Sequence, residues 1–177
     1  MSHHDHPNAE LGPLQIAELP KDKVARFDAA LPEILKRYPA DHKEAAMLAA
    51  LRRAQEIFGW LSPAAQRLVA DRLGAPVTRA DEVATFYVMY HTRPVGRHVV
   101  EVCTNVSCSL AGGYDIFEDL KRKLGVENGG TTGDGRITLR QVECLGSCGT
   151  APAMLVDEEM HEGLTSQSVA KILGALP

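Results

Sequence analysis

No apolar run in this chain approaches the roughly 20 residues that a membrane-spanning helix needs, so the sequence offers no segment that crosses a bilayer. Positive charge is in deficit. Lys and Arg number 19 against 23 Asp and Glu, for a net charge of −4, and the electrostatic footprint of a nucleic-acid binder is missing. Cysteine is scarce, with four residues, and no two are spaced C-x-x-C, which removes the signature of a dithiol oxidoreductase. No G-x-G-x-x-G dinucleotide fingerprint occurs. The glycine-rich stretch from Gly129 to Gly135 lacks the lysine and following helix of a P-loop, and Asp134-Gly135 ahead of an apolar run is turn chemistry.

What is present is ordinary in bulk. At 177 residues, 45% hydrophobic and 24% charged, the chain has the composition of a soluble globular protein of one large domain or two small ones. The opening Met1-Ser2-His3-His4-Asp5-His6 has neither the basic n-region and apolar h-region of a secretory signal nor the Arg-rich character of a transit peptide. A reducing compartment is therefore expected, where cysteines serve as metal ligands or redox groups rather than in structural disulfides. Residues 1–20 read as a flexible leader, with His3, His4 and His6 solvated rather than metal-binding.

Residues 21–93 carry a helical pattern and read as a bundle. Val24, Phe27, Leu31, Ile34, Leu35 and Tyr38 recur at helical spacing, with Pro32 expected to kink or split that run near Leu31. Asp41 and Glu44 form a capping-box pattern ahead of a helix with an expected inner face of Leu48, Leu51 and Phe58, closed by Gly59. Ser62-Pro63 is an N-cap with proline at the first helical position, and Gly74 ends that helix. Thr78 is expected to cap a fourth segment carrying Val83, Phe86, Tyr87 and Tyr90. The cluster of Phe86, Tyr87, Met89 and Tyr90 reads as packing rather than as a docking surface, because an aromatic stripe at helical spacing is usually core.

The period changes at Pro94-Val95-Gly96, and residues 94–177 read as a second domain. His98 to Val102 is a β-rich run ending at Cys103. A helix is expected over 110–124, with Tyr114, Ile116, Phe117, Leu120 and Leu124 as its apolar positions and Gly125 as its stop. A strand over 136–142 leads to Cys144. A third strand covers Ala153 to Val156, a turn at Asp157-Glu158-Glu159 opens a short fourth, and a helix over about 166–174 closes the chain. His98, a lone strand histidine, reads as structural.

The order is β-α-β followed by β-β-α. A right-handed crossover makes the first two strands parallel, so Cys103 and Cys144 come to the same edge of the sheet, where open α/β sheets bind ligands. Cys103 and Cys108 are spaced C-x4-C, and Cys144 and Cys148 are spaced C-x3-C. Gly146 and Gly149 permit backbone N–H groups to approach sulfur. Four thiolates suit a structural zinc or an iron–sulfur cluster, and spacing alone leaves both open.

The stretches Cys103-Thr104-Asn105-Val106-Ser107-Cys108-Ser109-Leu110 and Glu143-Cys144-Leu145-Gly146-Ser147-Cys148-Gly149-Thr150-Ala151-Pro152 resemble the binding motifs of thioredoxin-like [2Fe-2S] ferredoxins. Glu82-Val83-Ala84-Thr85-Phe86-Tyr87 and Trp60-Leu61-Ser62-Pro63 resemble, more narrowly, the E-subunit family of bacterial NADH–quinone oxidoreductase, or complex I. The likeness runs from about residue 20 to 175. It implies a mixed α+β or α/β chain with a helical bundle first and a thioredoxin-like β-α-β-β-β-α domain second. It implies one [2Fe-2S] cluster on Cys103, Cys108, Cys144 and Cys148, with no catalytic residue on this chain. The implied partner is a flavoprotein subunit that binds NADH and FMN, with which the cluster exchanges electrons in a complex whose peripheral arm faces the cytoplasm. Related small subunits serve NAD-dependent formate dehydrogenases and hydrogenases. A free-standing ferredoxin-like carrier would not need the helical half. One departure is visible: where the family usually has Asn and two tyrosines after the third strand, this chain has Asp157, Met160 and His161.

Overall fold

A computed structural model describes residues 19–177, so the three leader histidines lie outside the described residues. Helices build a first unit up to Pro94, and a sheet with helices builds a second from Val95.

The first unit comprises α1 (Lys21–Leu35), a 3₁₀ turn (Lys43–Ala46), α2 (Met47–Phe58), α3 (Pro63–Leu73) and α4 (Val77–Phe86). Its core is drawn from the stripe Phe27, Leu31 and Ile34 of α1 and the facing residues of the other helices. α1 is not split at Pro32. The ring removes one N–H donor, yet the ladder resumes with Lys36 N–H donating to Pro32 O at 3.2 Å, and the buried Leu31 and Ile34 hold both sides against the same core. The capping box at Asp41 and Glu44 does not form. Asp41 pairs with His42 at 3.1 Å, and the 3₁₀ turn takes up residues that a capped α-helix would need. α2 therefore starts later and buries Met47, Ala50, Leu51, Ala54 and Ile57. Leu48 falls on the exposed side and Phe58 is half-buried, so of the expected face only Leu51 is fully inside.

The glycine stops and the serine cap are as the sequence dictates. Gly59 ends α2 at φ +91° and Gly74 ends α3 at φ +68°, a left-handed conformation that costs glycine little. The Ser62 side chain accepts from Ala65 N–H at 3.1 Å. Thr78 is not a cap: α4 begins at Val77, directly after Pro76. Arg72 on α3 grips Asp28 on α1 through both carboxylate oxygens, at 2.7 and 3.0 Å, which holds the Asp28 carboxyl below its usual range. The expected aromatic packing holds for Tyr90 alone. Its hydroxyl donates to Leu48 O at 2.7 Å, and burial pushes its pKa up to about 12. Tyr87 and Met89 are exposed, and Phe86 is 77% exposed, because α4 stops at Phe86 and the helical stripe does not continue.

The second unit runs β1 (His98–Cys103), α5 (Val106–Leu110), α6 (Gly113–Leu124), β2 (Ile137–Val142), β3 (Met154–Val156), β4 (Glu159–His161) and α7 (Ser166–Ala175). The sheet order is β2-β1-β3-β4. β1 and β2 are parallel, with Cys103 opposite Val142, and the remaining pairs are antiparallel. Alternation sends Val100 and Val102 of β1, Ile137 and Leu139 of β2, and Met154 and Val156 of β3 into one core with Ile116, Phe117 and Leu120 of α6 and Val169 of α7. The helix expected over 110–124 is two helices, broken at Ala111-Gly112, and Tyr114 faces outward.

Candidate metal centre

Each cysteine is placed by a different piece of local chemistry. Cys103 is the last residue of β1, and its N–H donates to Ala153 O at 3.1 Å. Cys108 lies within α5, whose first turn is capped by Asn105 accepting from Val106 N–H at 2.7 Å. Both are 3% exposed and share a small core with the fully buried Ala153. Cys144 and Cys148 follow β2 on an exposed loop, and Cys148 opens a 3₁₀ turn to Thr150. All four are free thiols, so the disulfide alternative is not realised.

The sheet sets the segments that follow β1 and β2 side by side. Parallel pairing puts the ends of β1 and β2 side by side, and Thr104 N–H donates to Val142 O at 3.1 Å just past the strands. The thiol of Cys103 points to Glu143 O at 3.7 Å. Gln141 donates to the hydroxyl of Thr104 at 2.8 Å, tying the residue after the first cysteine to β2. Burial pushes the Cys108 thiol pKa up. The Cys103 thiol hydrogen-bonded to it and the nearby Cys148 act the same way, against a backbone hydrogen bond at Ala153 that lowers it. Cys108 packs with Cys103 in one small buried cluster. Among the described residues, no three His, Cys, Asp or Glu side chains converge as a grip for a single metal ion.

Two backbone features fit the sulfurs. Gly146 N–H donates to Cys144 Sγ at 3.3 Å, in a conformation with φ +82° that suits glycine; this is one of the two glycines whose approach to sulfur the sequence suggests. Gly113 has a role that the sequence pattern does not announce. A Cβ there would lie 2.7 Å from Cys103 O and 2.8 Å from Cys108 O, so α6 starts directly against the backbone of the buried pair. Farther along the loop, the Thr150 hydroxyl donates to Glu162 at 2.6 Å. Around the site the surface is apolar where α5 faces out: Val106 is 70% exposed and Leu110 86%.

A family model for thioredoxin-like [2Fe-2S] ferredoxins matches residues 31–177. The chain belongs to that family. Its similarity to named members of known complexes is substantial. It is 37% identical over 172 residues to the E subunit of NADH-quinone oxidoreductase from Mycobacterium bovis, covering 97% of this chain and 68% of that one. It is 41% identical over 145 residues to the protein of the same name from Rickettsia conorii, covering 81% and 87%. Among solved structures, the NAD+-reducing [NiFe]-hydrogenase in its air-oxidized state matches with a TM-score of 0.65 at 22% identity. The H2-reduced state matches with a TM-score of 0.63 at 24% identity. These cover 73% and 74% of this chain but 22% of theirs, and the likeness is one of fold. The mixed α+β class with a thioredoxin-like ferredoxin domain is thereby established for this ferredoxin-family chain.

His98 stands apart from the cysteines. It begins β1 while Cys103 ends it, and five residues at about 3.3 Å each put some 16 Å between them. Its Nδ1 lies 2.8 Å from Asp157 Oδ2, and Asp157 Oδ1 accepts from Val99 N–H at 2.9 Å. Asp157 thus closes the β3–β4 turn at φ +54° and anchors it to β1. His98→Gln is expected to leave the absorption and paramagnetic spectra of the metal centre unchanged while costing about 1–2 kcal/mol of stability. Spectra and a denaturant melt recorded on one preparation check both, and altered spectra would contradict the structural role.

Proposed function

We propose that this chain is an electron-transfer subunit of an NADH–quinone oxidoreductase, complex I, holding one [2Fe-2S] cluster on Cys103, Cys108, Cys144 and Cys148. The observation that supports the reading is the parallel pairing that sets Cys103, at the end of β1, beside Val142, two residues before Cys144, with Cys108 packed against Cys103, in a chain 37–41% identical to the E subunits of such complexes over most of its length. When bound, the cluster supplies a one-electron donor and acceptor. The match to a [2Fe-2S] ferredoxin family favours a diiron cluster over the zinc that four thiolates would also suit.

The chain's own residues shape that centre. Burial of Cys103 and Cys108 keeps water from two of the sulfurs. The Gly146 N–H donated to Cys144 offsets negative charge on a third. The exposed Val106 and Leu110 beside Cys108 offer an apolar rim for a protein that approaches the centre. The partner in this reading is the flavoprotein subunit that binds NADH and FMN. The site of NADH oxidation belongs to that partner, and this chain passes electrons within the assembly on the cytoplasmic side of the membrane. No helix among the described residues is long and apolar enough to cross a membrane.

Anaerobically purified chain is expected to contain about two irons and two acid-labile sulfides, and to give a paramagnetic signal only after reduction. One zinc with no sulfide would overturn the reading. Co-purification from native extract tests the assembly: an FMN-containing partner together with quinone-reductase subunits supports it, whereas a formate dehydrogenase or hydrogenase partner reassigns the complex, and a lone chain makes it a free carrier.

A further inference from the structure

The loop that carries the exposed cysteine pair has little packing of its own. Beta carbons built at Gly146 and Gly149 would meet nothing within 4 Å, so both flanks of Cys148 face open space. Cys103 and Cys108 are fixed by strand pairing and a helix, but Cys148 lies on a short turn. That turn is anchored from outside by the segment after β4. Gly163 N–H donates to Thr150 O at 2.7 Å and Leu164 N–H donates to Pro152 O at 3.1 Å. The Thr150 hydroxyl, 3.4 Å from Ser147 O within the turn, makes its shorter bond to Glu162 Oε1 at 2.6 Å. Thr150 N–H also donates to Ser147 O, at 3.2 Å. One carboxylate therefore holds Thr150, which in turn binds Ser147 O across Cys148-Gly149.

We infer that Glu162 is a positioning residue for the Cys144–Cys148 loop: by holding Thr150, which binds Ser147 O across the turn, it fixes where the Cys148 sulfur sits relative to the buried pair. This rests on the reading of the four cysteines as cluster ligands. Glu162 acts through the loop and touches no ligand itself. Its oxygen only accepts from Thr150, so an amide at the same place serves nearly as well through its own carbonyl oxygen.

The test is the rate at which an iron chelator bleaches the anaerobically loaded full-length chain, measured for wild type, Glu162→Ala, Glu162→Gln and Thr150→Val. Glu162→Ala is expected to lose its cluster about tenfold faster, the scale typical of losing an outer partner of a metal ligand. Glu162→Gln should stay close to wild type, and adding Thr150→Val to Glu162→Ala should not multiply the two effects. Melting of the cluster-free protein should be the same for all, which a merely structural residue would not give. Glu162→Ala bleaching within about twofold of wild type, or Glu162→Gln bleaching as fast as Glu162→Ala, overturns the inference. A wild-type chain without acid-labile sulfide overturns instead the cluster assignment beneath it.

Discussion

Cys144→Ser is expected to leave the purified chain without visible absorption and without a paramagnetic signal on reduction. A serine hydroxyl holds its proton far above the range of a thiol and is the poorer ligand for ferric sulfide. Cys144 sits on the exposed loop, so water reaches the weakened position at once. The hydrogen bond from Gly146 N–H remains available to the serine oxygen, but it orients a group that no longer carries negative charge. Iron retention should fall by more than the roughly 10–100-fold that loss of an outer partner brings. Iron and sulfide content after anaerobic reconstitution measures this. Full retention of both would remove Cys144 from the ligand set.

The largest effect on stability is expected at Phe117. Its ring is 2% exposed and lies on α6 in the core shared with β1, β2 and β3. Phe117→Ala removes the contacts and leaves a cavity in an interior that relaxes only in part, a cost of about 3–5 kcal/mol. Against a total of about 5–15 kcal/mol for an ordinary domain, that leaves the unit close to unfolding at ambient temperature. Phe86→Ala is the internal control, because its ring is 77% exposed and its edge-to-face contact with Tyr87 is worth about 0.5–1.5 kcal/mol at most. Urea titration of the cluster-free chain should show a lower midpoint for Phe117→Ala with an unchanged slope. A loss below about 1 kcal/mol would mean that α6 is not seated in the core as described.

What could be read in the sequence follows how local the deciding physics is. Gly59, Gly74 and Gly125 end their helices, and Ser62 caps α3, because backbone conformation and a bond three residues away decide those points. The parallel pairing that brings Cys103 level with Val142 was legible from the handedness of a β-α-β crossover. Pro32, Asp41, Thr78 and Leu48 misled for a common reason. Each matched a local rule, and each was overridden: α1 runs on through Pro32, a 3₁₀ turn and the Asp41–His42 pair replace the cap, α4 starts ahead of Thr78, and the later start of α2 turns Leu48 outward. Gly113 and Glu162 were not legible as parts of the site. The first matters through two carbonyls five and ten residues earlier in the chain, and the second through a contact twelve residues back; neither leaves a periodicity.

The close approach at Gly113 has a consequence for how the second unit comes apart. With only 2.7 and 2.8 Å available to a side-chain carbon between this helix start and the two carbonyls, there is no slack between α6 and the segment bearing the buried sulfurs. Heat or denaturant that frees α6 therefore frees the sulfurs in the same step, and loss of colour and release of α6 trace a single transition.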